Sequence, residues 1–381
     1  MDRRRRAAGP AAGWLAAGAV LLALSAAAGA RLRAERLRSS PAALAGVRAP
    51  AGAPALVSLA SVALGGFRGV AADLLWLRAG RLQEERRFVE LVQLSEWITA
   101  LEPESEDVWS FHAWNLAYNV TILLGRPDDR WRWVSGAVSL LRDRGLAMNP
   151  GSPALEREIA WLFLHKVGTD SDSASGFYRT AWAREISAWL GPGGEPPPEG
   201  SLSAAELASA LKMDAAGMAA LERRFGRVDW RVPDASALYW GALALAGAEG
   251  GPDELPCRRM VYSALLSMMR RDGRLLGDPD SEGWTFRAVP NADLVDATGA
   301  FLEETMAASA FSGVRHAYVG WLCDAIAIRL AQGREDEALA LHGKLAAFFA
   351  ERGVDGVPEM RELASAPEGT MDELLFRAGY H

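Results

Sequence analysis

The residues best placed to do chemistry in this 381-residue chain are aromatic, and they come in matched pairs. Trp114 and Tyr118 are four apart, Trp161 and His165 are four apart, and the second pair follows the first by 47 residues. Residues four apart in a helix share a face. Each pair therefore sets a flat apolar surface with a polar edge on one side of a helix, and such anchors are what protein partners are gripped by. Two readings of that face stay open: a concave surface for a partner, or ordinary core beneath later helices. Asn115 and Asn119 repeat the spacing, with amides able to bond an extended backbone or their own helix. Arg130-Trp131-Arg132-Trp133 falls where the helical pattern breaks and reads as a contact loop, exposed or membrane-facing, or as a staple of that insertion to its own core.

Reaction chemistry has no comparable signal. His112, His165, His316, His342 and His381 do not group with carboxylates at ligand spacing, and His-Glu-x-x-His is absent, so neither a metal nor a cofactor is expected. Gly65-Gly-Phe-Arg-Gly69 lacks the Lys and the strand of a phosphate loop. There is no Gly-x-Ser-x-Gly elbow, and neither Cys257 nor Cys323 has a His beside it in the sequence. Enzymatic activity is not expected. Residues 1–38 hold eight Arg against Asp2 and Glu35, while the remainder carries 33 basic and 46 acidic groups. An acidic body with a basic end disfavours nucleic acid and favours a membrane contact at that end.

The elements that must carry the aromatic pairs are helices. Phe88, Leu91, Val92, Leu94, Trp97, Ile98 and Leu101 make one apolar face, which Pro103 stops. Asp107 is a candidate N-cap for a helix with Trp109, Ala113, Leu116 and Val120 on one stripe. Gly136–Met148 resumes the pattern, and Pro150 stops it again. Leu94/Leu141, Ala100/Ala147, Pro103/Pro150, Ser105/Ser152, Ala113/Ala160 and Trp114/Trp161 share the 47-residue offset, the mark of stacked helical hairpins.

On these residues the chain resembles the tetratricopeptide repeat (TPR) family, in which antiparallel helix pairs recur about every 34 residues. Phe88 lies fifteen residues before Pro103, Trp109 six after it, and Ala113 sits where the family has a small packing residue. Trp321-Leu … Ala331-Gln-Gly-Arg-Glu-Asp-Glu-Ala-Leu339 resembles the family's turn and second-helix opening. The unit here is 47 residues, so about 13 around Gly125–Trp133 look inserted, and Ser135 stands where Phe88 has its counterpart. The resemblance implies an all-α, TPR-like α-solenoid whose first helices line a peptide groove containing Trp114, Tyr118, Trp161 and His165. The Lys/Asn clamp that some members use for a C-terminal carboxylate has no counterpart.

Ahead of the repeats, Arg3–Arg6 precede an uncharged run, 7–30, long enough for one membrane-spanning helix. An uncleaved anchor and a signal peptide cut after Ala28-Gly-Ala30 are both open. Residues 39–54 read as a Pro/Ala linker, 55–190 as repeats, 191–202 as a Gly/Pro loop, and 203–381 as a C-terminal helical region. The uncharged stretch 55–67 reads as the buried start of the body or as a helix lying on the membrane. In the C-terminal region Ser203, with Glu206 three residues on, reads as a capping box. The expectation is a single-pass inner-membrane protein with an extracytoplasmic body, scaffolding protein partners in a bacterial envelope. Two alternatives are an obligate subunit of a transport or secretion complex and, after signal cleavage, a periplasmic protein.

Overall fold

The computed structural model describes residues 68–354, 356–365 and 375–376. The basic N-terminus, the run 7–30, the linker 39–54 and the stretch 55–67 lie outside them. The described chain is mostly helical, in keeping with the expected all-α class. Its strands are Arg274–Leu275 and Ala288–Val289, paired antiparallel. No described helix is long and apolar enough to cross a membrane.

The chain divides into two compact units, the first ending at Val120 and the second starting at Thr121. In the first, α1 (Arg68–Glu84) packs on α2 (Phe88–Leu101), and α2 packs on α3 (Glu106–Trp114). α3 continues as a π-helical turn, Asn115–Val120, which α2 also contacts, so α2 and α3 lie side by side as a hairpin. Phe88, Leu91, Leu94, Ile98 and Leu101 are buried, on the stripe their spacing predicts. α2 ends at Leu101 because the residue before a proline is driven out of the helical region. The N-cap position of α3 is Ser105, with Asp107 inside the first turn, where a negative charge favours the positive helix end.

In the second unit, α4 (Pro127–Ser139) runs on through a π turn, Leu140–Gly145, to Met148. α5 (Pro153–Trp161) follows, continued by the π turn Leu162–Val167. Arg130–Trp133 are therefore helical, which corrects the loop assignment. Pro127 starts the helix because its φ is fixed near the helical value and its missing N–H would go unbonded there anyway. Asp128 and Asp129 sit in that first turn.

Next come α6 (Ser175–Ser187), α7 (Leu202–Leu211), α8 (Ala215–Phe225), α9 (Pro233–Ala248) and α10 (Glu254–Ser267). α10 continues through the π turn Met268–Asp272. The chain closes with α11 (Val295–Ala308), α12 (Ser312–Ala331), α13 (Glu335–Ala350) and α14 (Met360–Ser365). α7 is capped by Ser201, whose hydroxyl accepts from the Ala204 amide, not by Ser203. α9 is the centre of this unit. Every residue from Pro233 to Gly241 is buried, the polar Asp234 and Ser236 included. It packs on α10, its neighbour in sequence, and on α5, from which three helices separate it. Gly241 allows the approach to α10, since a Cβ there would lie 3.1 Å from that of Met260.

The Gly/Pro loop 191–202 is tied into this unit. Asp229 and Arg231 form a buried bidentate pair with both contacts at 2.8 Å. Arg231 also donates to the Pro192 carbonyl (2.9 Å), and the Trp230 amide to that of Gly194 (3.0 Å). The second Asp229 oxygen accepts from the Leu275 amide at 2.8 Å, joining the two-stranded ribbon to the same node. Trp230 is fully buried and anchors this connection.

Candidate functional site

The 47-residue offset is reproduced in the backbone. α3 and α5 have equal length and corresponding ends, Glu106/Pro153 and Trp114/Trp161. Each passes directly after its tryptophan into a six-residue π turn, Asn115–Val120 or Leu162–Val167. π turns are rare and recur at functional positions. Here each one holds the ring partner of the tryptophan that precedes it.

Both aromatic pairs form. The Trp114 and Tyr118 centroids are 4.4 Å apart at 30°, and those of Trp161 and His165 are 4.7 Å apart at 7°, nearly parallel. Trp114 is 44% exposed, while Tyr118, Trp161 and His165 are half-buried. The Trp161 indole N–H is buried and makes no hydrogen bond among the described residues. Burial, and then the adjacent Lys166 ammonium, lower the His165 pKa from the usual imidazole value. The two pairs belong to different compact units, one to each.

The asparagines are occupied. Asn119 donates to Asn115 Oδ1 (2.6 Å), and buried Asn115 donates to the Phe111 carbonyl (3.0 Å). Of the two open uses, bonding within the helix is the one observed. On α4, Arg130 donates to the Leu124 carbonyl (2.7 Å) and the Ser173 hydroxyl (3.1 Å). Trp131 stacks on Tyr178 at 6.0 Å. Arg132 pairs with Asp129 (3.4 Å) on the exposed side, and Trp133 is 37% exposed. Arg130 and Trp131 thus fasten α4 to the α6 region, and Arg132 and Trp133 face solvent.

Sequence reasoning missed the polar node below that stack. Lys166, one residue beyond His165, is buried and donates to Asp172 (2.6 Å) and to Thr121 (3.4 Å). Tyr178 donates to the same Asp172 oxygen at 3.0 Å. Burial works to raise the Asp172 carboxyl. The Lys166 ammonium, the Ala174 amide and the Tyr178 hydroxyl outweigh it, leaving the group below the ordinary carboxylate range. Two further carboxyls are pushed up to about 7 by burial, Glu156 on α5 and Asp234 at the start of α9. The offset itself points to Glu156, since it stands 47 residues after the buried Trp109. Lys166 and Asp234 carry no local signal; their burial depends on helices distant in sequence. No described group of His, Cys, Asp or Glu has the geometry to hold a metal ion.

No family model, curated protein or solved structure matches this chain. The functional reading therefore rests on the repeated helix and its rings.

Proposed function

We propose that this chain is a membrane-anchored helical-repeat protein, TPR-like over about 57–168 and 315–350, that holds protein partners in a bacterial envelope. The observation that supports this most is the double construction of one helix. α3 and α5 share their length, their π turn and an aromatic pair at the same place, and Trp114 is left 44% exposed. Core aromatics are ordinarily buried, so an exposed indole held by a ring partner is a ready anchor for an apolar side chain of a partner. The anchor is the run 7–30, whose length suits one bilayer crossing.

In-cell crosslinking of the tagged full chain, followed by membrane purification and mass spectrometry, tests the reading. Trp114→Ala with Trp161→Ala is expected to abolish capture while leaving the helical circular dichroism unchanged. Capture undiminished in the double variant overturns the aromatic anchors. No partner for the unmodified chain overturns the scaffold. One dominant partner at constant ratio selects the obligate-subunit reading. Release by alkaline carbonate removes the anchor.

A further inference from the structure

We propose that the outer face of α3 seats an arginine side chain of a protein partner, stacked on the Trp114 ring and paired with Asp107. The inference deepens the scaffold reading above and rests on it. Asp107, Phe111 and Trp114 stand at i, i+4 and i+7, one stripe along α3. Asp107 and Trp114 are exposed and Phe111 is half-buried. Tyr118 extends the stripe through its ring contact with Trp114, and Trp76 of α1 meets the Phe111 ring at 4.7 Å. Side chains on a helix lean toward its N-terminus, so the Trp114 indole reaches back along the stripe toward Asp107.

Charge selects the occupant. Residues 88–120 hold six carboxylates, Asp107 among them, and neither an Arg nor a Lys. His112, the one histidine in that stretch, is buried. The arginines ahead of it do not share the stripe. Arg78 and Arg81 stand two and five residues from Trp76, off its side of α1. Arg86 lies in the turn after α1, and Arg87 is paired with Glu85 and Glu90. The next basic residue along the chain, Arg126, is paired with Asp128 at 2.9 Å. An acidic segment would be repelled by this surface, and an uncharged one would gain ring contact alone. A guanidinium gains both: its planar cation stacks on an aromatic face, Trp best of all, and its fork of donors suits a carboxylate. A lysine ammonium supplies the charge without the flat stacking. The second copy of the helix lacks the pairing group, since Ala154 stands 47 residues after Asp107.

The test uses the full chain in a nonionic detergent and the fluorescein-labelled peptide Gly-Ser-Leu-Arg-Leu-Arg-Leu-Ser-Gly, read by fluorescence anisotropy. Matched peptides carry lysine, glutamate or the uncharged isostere citrulline in place of arginine. The arginine peptide is expected to bind about tenfold more tightly than the citrulline peptide, with lysine between them and glutamate weakest. Trp114→Ala is expected to weaken it about tenfold and Asp107→Asn about threefold. Glu96→Gln, a change of the same charge at an exposed position on α2, is the control and is expected to leave binding unchanged. Asp107→Asn keeps the test decisive should Trp114→Ala lose helicity. The inference falls if citrulline or glutamate binds as well as arginine, if no peptide binds, or if Asp107→Asn changes nothing. It falls equally if the chain alone forms a dimer in analytical ultracentrifugation that Trp114→Ala breaks, since a second copy then covers the face. The scaffold reading fails separately. In-cell capture that survives Trp114→Ala with Trp161→Ala removes the aromatic anchors, whereas capture lost there but unchanged in Asp107→Asn removes the arginine alone.

Discussion

The two copies of the repeated helix share a backbone and differ in what they bury. α3 places Trp109 on its core stripe, 3% exposed, with the indole donating to the Pro103 carbonyl at 2.8 Å. At the same place α5 has Glu156, 6% exposed and pushed up to about 7 by burial. Asn119, half-buried and bonded to its own helix in the first copy, is replaced in the second by buried Lys166, bonded to Asp172 and Thr121. The second copy also packs against α9 and α10. One helix can be repeated almost turn for turn while the copy carrying more tertiary contacts takes on buried charge. Apolar stripe positions fix the helix, and the elements laid on it decide which side chains are desolvated.

The sharpest way to break this comparison is to remove the buried cation and its counterpart. Lys166→Met leaves Asp172 without its main partner and is expected to cost about 3–5 kcal/mol. Asn119→Met in the first copy is expected to cost about 1 kcal/mol, the scale of one local hydrogen bond. Urea denaturation of both variants checks the difference, and equal losses would mean the node does not hold the second copy.

Glu156→Gln sharpens it through pH. The folded carboxyl is raised from 4.5 to about 7, so the folded state favours the proton. Its contribution is therefore most favourable below the unfolded value, declines as pH rises from about 4.5 to 7, and leaves a full deficit above that. The deficit is on the order of 3 kcal/mol. Glu156→Gln is expected to raise stability by about that amount at pH 8 and to change it little at pH 4. Denaturation midpoints across this range check it, and a variant gaining nothing at pH 8 would place Glu156 in water.

The smallest effect concerns how each copy starts. Ser152 accepts from the Leu155 amide at 3.1 Å, whereas Ser105 makes no side-chain cap bond. Ser152→Ala is expected to cost about 1 kcal/mol and Ser105→Ala less than about 0.5 kcal/mol. Thermal melts separate the two, and equal shifts would mean the caps are equivalent in solution.

The helices were legible because their signals are local. The apolar period from Phe88 to Leu101, the prolines at 103 and 150, and the offset joining Trp114 to Trp161 all appear in the backbone. The four-residue ring spacing translated directly into ring contacts, because residues four apart in a helix are neighbours whatever surrounds them. Helix starts were read less well. Ser105 and Ser201 take the cap positions expected at Asp107 and Ser203, since several adjacent residues in each stretch can accept the same amide bonds. Arg130–Trp133 read as a loop because the apolar period lapses there, yet Pro127 and the acidic first turn suffice to start α4.

By itself the sequence determined the all-α class, the repeated helix and the four-residue ring pairs. Each follows from residues within a turn or two of one another, or from a fixed offset. Only the tertiary structure decided that Trp114 is exposed, that Lys166, Glu156 and Asp234 are buried, and that α9 lies on α5. Desolvation is set by elements far apart in the chain, and no local pattern encodes which of them will meet.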